Sequence, residues 1–368
     1  SRIMEDLLPS GVRSGRVDNL NGLEMFYLEA GSPDAPVLLL LHGFPELAFS
    51  WRRVMTPLAA AGYRVIAPDQ RGYGRTTGWD PGFEDPERAC RMLNLATDAL
   101  GLLKALDIGE VAAVVGHDFG SPVAAHCALI RPDVFRRAAL MSAPFGGPPP
   151  LAPRAGSGDI HADLAALARP RKHYQWYYVT LEANRDMLNA PQGLHDFLRA
   201  YYHAKSGDWP GNRPYELAAW SAEELAKLPT YYVMDRDAGM AETVAPDMPT
   251  PEEIAACGWL TDAERAVYVE AYHSRGFQCA LTWNDNMADP AYLADMRVFA
   301  GRRLDVPACF IAGARDWGIH QRPGALQAMA ERACADWRGT TLIDGAGHWV
   351  QQERPEAVVG ALLDFLAD

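Results

Sequence analysis

The 368-residue chain has little that would serve a membrane, a polyanion or a structural metal. Lysine and arginine number 34 against 47 aspartates and glutamates. The resulting formal charge of −13 excludes an electrostatic grip on nucleic acid or an anionic membrane surface. No apolar run reaches the roughly 20 residues of a spanning helix. Cysteine is scarce and scattered (Cys90, Cys127, Cys257, Cys279, Cys309, Cys334) and forms no C-x-x-C pair. That pattern argues for buried thiols rather than a disulfide framework or a zinc site. The opening stretch SRIMEDLLPS lacks the basic-then-apolar pattern of a secretion signal, so the expected compartment is the reducing cytoplasm. Internal repeats and low-complexity tracts are missing too, and so is any Gly-x-Ser-x-Gly.

What is present fits an ordinary enzyme: 49% hydrophobic and 22% charged residues, in a chain long enough for one domain with an insertion or for two. Two short strands are expected around Asp18–Gly22 within 12–29, then a fully apolar strand over Val37–Leu41 and another over Tyr63–Ala67. Helices are expected at about 51–61 and 91–106, and a further strand at Ala138–Met141. Strand alternating with helix predicts an α/β fold with a mostly parallel, doubly wound sheet and right-handed crossovers. The pattern breaks at Pro144–Pro150, after which the chain to about residue 300 is helical and crowded with Trp, Tyr and Met. Alternation resumes with a strand at Val306–Ala312, continues with Thr341–Ile343 and ends in a helix at about 355–366. The expected division is a core of 1–143 with 300–368, carrying an inserted helical cap or lid at 144–299.

Residues 111–130, VAAVVGHDFGSPVAAHCALI, organise the rest. A β-branched run stops at Gly116-His117-Asp118-Phe119-Gly120, and an Ala-rich helix follows until Pro132. Strand, glycine-flanked polar residue and helix form the context of a nucleophile elbow, whose glycines allow a strained apex and close helix–strand packing. The spacing alone is weak, since an aspartate there could simply cap the helix. With an aspartate at the apex, the implied chemistry is attack on a saturated carbon that leaves an ester on the enzyme.

Hydrolysis of that ester needs a base. His348, in the loop Asp344–Trp349 after a strand, stands last in the order acid nucleophile, carboxylate, histidine. Asp316 follows the strand Val306–Ala312 and is the expected orienting carboxylate, ahead of Asp289 and Asp295, which follow no strand. The loop His42-Gly43-Phe44-Pro45 is placed to offer the Phe44 amide as one oxyanion donor, and the Phe119 amide is expected as the second.

HGFPELAFSWR (42–52), GYRVIAPDQRGYG (62–74), GHDFGS (116–121) and GHWVQQERP (347–355) resemble the soluble epoxide hydrolase branch of the α/β-hydrolase family. The similarity extends to KHYQWYY (172–178) and GFQCALTWNDNM (276–287). It implies an α/β-hydrolase fold, Asp-His-Asp chemistry and two cap tyrosines that hold and protonate the epoxide oxygen. The first matches Tyr174. At the second, after Trp283, this chain has Asn284, which can donate a hydrogen bond but has no proton to release. Tyr268 and Tyr272 are candidates to replace it. Substrate contacts are expected from Asn284, Trp283, His173 and Trp349. Residues 181–225 match the family poorly, and substrate selection is expected to be encoded there.

The leading expectation is an epoxide hydrolase that makes vicinal diols without a cofactor or metal, acting on a small apolar epoxide as a monomer or homodimer. The alternatives are a haloalkane or haloacid dehalogenase on the same machinery, or a non-catalytic ligand-binding protein on the scaffold. Haloalkane dehalogenases usually carry tryptophan after the nucleophile and the fluoroacetate type arginine. Phe119 offers a halide neither.

Overall fold

Apolar strands that both faces of a sheet can bury set the centre of the molecule. The computed structural model describes residues 3–78, 86–152 and 158–368. Residues 1–2 and 79–85 of the expected core, and 153–157 of the expected cap, lie outside the described residues. Eight strands form one sheet in the order β1-β2-β4-β3-β5-β6-β9-β10. These are β1 (Arg13–Leu20), β2 (Leu23–Ala30), β3 (Val37–Leu41), β4 (Arg64–Pro68), β5 (Ala113–His117), β6 (Ala138–Met141), β9 (Leu304–Gly313) and β10 (Cys334–Ile343). The first two run antiparallel to their neighbours, and every later pairing is parallel. All residues of β3, β5 and β6 are buried, as the apolar runs of β3 and β6 and of β5 up to its terminal His117 require. Helices Arg52–Ala60, Met92–Ala105, Gly120–Ile130 and Pro355–Ala367 accompany the strands.

The expected strands and helices appear within a few residues of their predicted places. The main departure is β10, which begins at Cys334 rather than Thr341. It is an edge strand whose residues are mostly solvent-facing and polar, so its first half has no apolar signature.

Between β6 and β9 the chain leaves the sheet. Ile160–Phe299 forms helices and a small antiparallel ribbon of β7 (Arg171–His173) and β8 (Val233–Asp235), which sequence reasoning did not anticipate. Helix Asp262–Arg275 is tied to the sheet half by charge. Glu264 completes the capping box with Thr261 at its start and also binds Arg52 at 2.7 Å and Arg53 at 2.6 Å. Helix Leu194–Lys205 buries Phe197, Leu198, Tyr201, Tyr202 and Lys205 on one face, at helical spacing.

Candidate active site

The carboxyl ends of the parallel strands converge on Asp118, the first residue beyond β5. Its backbone has φ 54°, a left-handed conformation unusual for a side chain larger than glycine. The turn closes only because its neighbours lack Cβ atoms. One on Gly116 would lie 2.0 Å from the Gly120 carbonyl, and one on Gly120 2.2 Å from that of Leu41. The result is a carboxylate held proud of the sheet at the mouth of a cavity.

The two Asp118 oxygens have different partners. Oδ2 accepts the Phe44 amide at 3.0 Å, and Oδ1 lies 2.9 Å from Nε2 of His348. The other imidazole nitrogen, Nδ1, is 3.1 and 3.2 Å from the oxygens of Asp316, which also accepts the Gly318 amide at 2.7 Å. Asp316 and His348 are buried, whereas the Asp118 side chain keeps 22% exposure toward the cavity. The three residues, placed by three strand ends, form one hydrogen-bonded line. The rivals are elsewhere: Asp289 caps helix Pro290–Met296, and Asp295 pairs with Arg91 at 3.0 Å.

The histidine loop is built with equal care. The His348 amide donates to the Lys205 carbonyl at 2.8 Å, and its carbonyl accepts Nε2 of His117 at 2.7 Å. Buried Glu353 accepts the amides of Gly347, Trp349 and Gly207, a role the sequence did not disclose. Burial raises its carboxyl to about 7 despite these donors.

Charge is balanced by proximity. Desolvation pushes Asp118 upward, but the hydrogen bond and charge of His348 outweigh it and hold the carboxyl well below its ordinary value. Burial and the Lys205 charge lower His348, whereas Asp316 and the hydrogen bonds to both aspartates raise it, to a net value of about 9. The resting pair is carboxylate and imidazolium.

The cavity is also lined by Tyr174, Tyr178 and Tyr201. Burial, reinforced by the negative charge of Asp118, raises the Tyr174 phenol well above its ordinary value. Tyr178 and Tyr201 share a hydrogen bond of 2.9 Å between their hydroxyls. Asn284 also lines the cavity, and its amide donates to the Leu281 carbonyl at 3.0 Å. Phe44 and Phe119 supply apolar wall, and Arg322 stands at the cavity edge with its guanidinium over Trp220.

Three expected substrate contacts do not line this cavity. Trp283 lies behind Phe119, its ring 5.6 Å from that side chain and 5.3 Å from Tyr73. His173 caps helix Tyr174–Tyr178 by accepting the Gln175 amide at 3.2 Å. Trp349 is wholly buried, donates to the Tyr202 carbonyl at 2.8 Å and packs against the His348 ring. His173 is a half-buried helix cap, and Trp283 and Trp349 are large aromatics that packing claims. The same holds for Tyr268, bonded to Ser50 at 2.7 Å, and Tyr272, which donates to the Glu46 carbonyl at 2.9 Å. Neither reaches the cavity. Sequence reasoning missed Tyr178, Tyr201 and Lys205. For Tyr201 and Lys205 a signal existed in the apolar stripe of helix Leu194–Lys205, where a lysine four residues after a buried tyrosine is out of place.

Comparison with known proteins agrees with this geometry. Residues 36–168 match the family model for the alpha/beta hydrolase fold. Epoxide hydrolase A of Mycobacterium tuberculosis is 34% identical over 97% of this chain and 98% of its own length. An epoxide hydrolase from an endophytic Streptomyces superposes with a TM-score of 0.75 at 29% identity, covering 98% of this chain and 96% of that one. Epoxide hydrolase A from Mycobacterium thermoresistibile gives 0.73 at 31% identity, with 97% and 98% covered. A strand-edge carboxylate joined to histidine on this sheet defines an α/β hydrolase. Within that class the chain belongs to the epoxide hydrolase family and is an epoxide hydrolase.

Among the described residues, no helix is long and apolar enough to cross a membrane.

Proposed function

We propose that the enzyme opens a small apolar epoxide to a vicinal diol through an ester on Asp118. The observation that carries this reading is the unequal treatment of the two Asp118 oxygens. Oδ1 attacks an oxirane carbon, the carbon–oxygen bond breaks, and negative charge develops on the departing oxygen. Tyr174 donates its proton there, and the imidazolium of His348 restores it to the phenol. A phenol raised by burial and by the Asp118 charge is a poor acid at rest. Consumption of that charge by alkylation removes one of the influences that raise it as the proton is needed.

Oδ2 remains on the Phe44 amide and becomes the ester carbonyl oxygen. Neutral His348, oriented by Asp316, takes a proton from water, which attacks the ester carbon. The Phe44 and Phe119 amides then hold the tetrahedral oxyanion until the diol leaves. Asn284 offers at most a neutral hydrogen bond, since part of its donor capacity is spent on Leu281.

We assign residues 1–143 and 300–368 to the core and 144–299 to a cap whose tyrosines cover the nucleophile. The cavity wall of Phe44, Phe119, Ile319 and the phenols favours an apolar substrate. A dehalogenase would need side-chain N–H donors beside the nucleophile for halide. Phe119 supplies none, and Trp283, the nearby indole, lies outside the cavity.

Incubation of the His348→Gln variant with styrene oxide tests the reading. The peptide containing Asp118 should gain the mass of the epoxide. An active substrate that leaves no adduct there would refute the ester.

A further inference from the structure

Lys205 carries a positive charge that the mechanism above does not use. It ends helix Leu194–Lys205, is 4% exposed, and lines the cavity with Asp118, His348 and Tyr174. Among the described residues no carboxylate forms an ion pair with it. Its polar neighbour is the Tyr201 hydroxyl, at 3.5 Å. Four aromatic faces surround Nζ instead: Tyr232 at 4.9 Å, Tyr201 at 5.2 Å, Trp349 at 5.4 Å and Tyr231 at 5.9 Å. Such faces attract a cation but do not neutralise it, so the charge stays available to its surroundings.

The backbone fixes where that charge acts. The Lys205 carbonyl accepts the His348 amide at 2.8 Å, and a Cβ on Gly347 would lie 2.7 Å from the same oxygen. Asp118, Asp316 and His348 all lie within the field of the ammonium. At rest the group of four is neutral: two carboxylates, one ammonium and one imidazolium. Alkylation turns Asp118 into an uncharged ester. With the imidazolium retained, the group would then carry one net positive charge in a buried site. That charge is balanced by the departing oxygen, and proton transfer through Tyr174 discharges both, leaving the group of four neutral and His348 as a base. Without Lys205, the remaining three groups would already sum to zero with the proton on His348, so less would drive that proton to the departing oxygen and the imidazole would hold a proton to higher pH. Other titratable groups surround the histidine. They are His117 and Glu46 beneath it, Glu353 on its loop, and the phenols of Tyr201, Tyr231 and Tyr232 on the opposite side.

We propose that Lys205 is a positioning residue for ester hydrolysis, whose caged ammonium drives the proton off His348 once Asp118 has become an ester. This rests on the Asp118 ester proposed above.

Single-turnover rates with styrene oxide across pH test it. In Lys205→Met ester hydrolysis should slow more than alkylation. The acid limb of ester hydrolysis should move about one unit higher in pH, making that phase about tenfold slower at neutral pH. Lys205→Arg should restore the wild-type limb. Lys205→Gln replaces the methionine variant if the latter does not fold. A second reading comes from Asp118→Asn, whose neutral side chain imitates the ester. There, adding Lys205→Met should raise the NMR titration midpoint of the His348 imidazole. An Asp118 adduct together with an unmoved acid limb and midpoint overturns this proposal alone, as does equal slowing of both phases. Absence of any adduct in His348→Gln, with wild type active, overturns the ester and this proposal with it.

Discussion

The sheet edge and the inserted helices both contribute to one cavity, but they place their side chains by different means. Asp118, Asp316 and His348 each stand within a few residues of a strand end, on turns fixed by local glycines and backbone hydrogen bonds. Tyr174, Tyr201 and Lys205 reach the site only because Tyr174–Tyr178 and Leu194–Lys205 pack as they do. A short motif therefore states the chemistry at the sheet edge. In the inserted segment the same residue types serve both packing and chemistry, and only the folded arrangement tells them apart. If so, changes at the sheet edge should abolish reaction steps, and changes among the cap aromatics should grade from large to negligible according to cavity access.

The largest effects are expected at the sheet edge. Asp118→Ala should eliminate turnover, and Asp316→Ala should lower it by about 10³-fold or more, with the melting transition still cooperative. An Asp316→Ala enzyme of wild-type rate would move the orienting role elsewhere and break the comparison at its strong end. Next comes Tyr174→Phe, which removes the proposed proton donor. Alkylation measured in a single turnover should slow by about 10²-fold or more, while ester hydrolysis remains nearly unchanged. Asn284→Ala should cost alkylation only the value of a neutral hydrogen bond, about 0.5–1.5 kcal/mol. Equal and small effects of both substitutions would mean that another phenol, such as Tyr201, is the acid. The smallest catalytic effect is expected at Tyr272, whose hydroxyl serves the Glu46 carbonyl rather than the cavity. Tyr272→Phe should lower stability by about 1 kcal/mol in denaturant titration and leave both rate phases alone.

Most of the sheet and the residues of the hydrogen-bonded line Asp118–His348–Asp316 were legible because apolar strands, glycine-flanked turns and chain order are local signals. Val37–Leu41 and Gly116–Gly120 needed no knowledge of their neighbours. The cap was legible where resemblance supplied a motif, as for Tyr174, and failed where size was taken for access. Trp283 and Trp349 are large and adjacent to functional positions, yet both are almost fully buried by their packing. Tyr268 and Tyr272 failed as replacements for the missing second tyrosine for the same reason. Residues 181–225, read only as a stretch unlike the family, contain Tyr201 and Lys205 on the cavity wall. The β10 edge and the β7–β8 ribbon escaped notice because short or solvent-facing strands carry no apolar alternation.

The state of His348 gives the comparison a pH signature. The folded protein holds it at about 9, above the ordinary value of 6.5, through its two carboxylate partners at the sheet edge. A raised folded value stabilises the fold fully below the unfolded pKa, and that contribution is lost as pH rises through about 9. The stability of wild type relative to His348→Gln should therefore shrink between pH 6.5 and pH 9 in parallel denaturant titrations. A difference constant over that range would mean that His348 is not held as an imidazolium in the resting enzyme.

The origin of the diol oxygen tests the central claim most directly. In one turnover of styrene oxide in heavy-oxygen water, with enzyme in excess, the new hydroxyl of the diol should come from Oδ1 of Asp118 and be unlabelled. The heavy oxygen should appear in the peptide containing Asp118, because water attacks the ester carbon there. A labelled diol from the first turnover, with Asp118 unlabelled, would show that water attacks the epoxide directly and would contradict the covalent account.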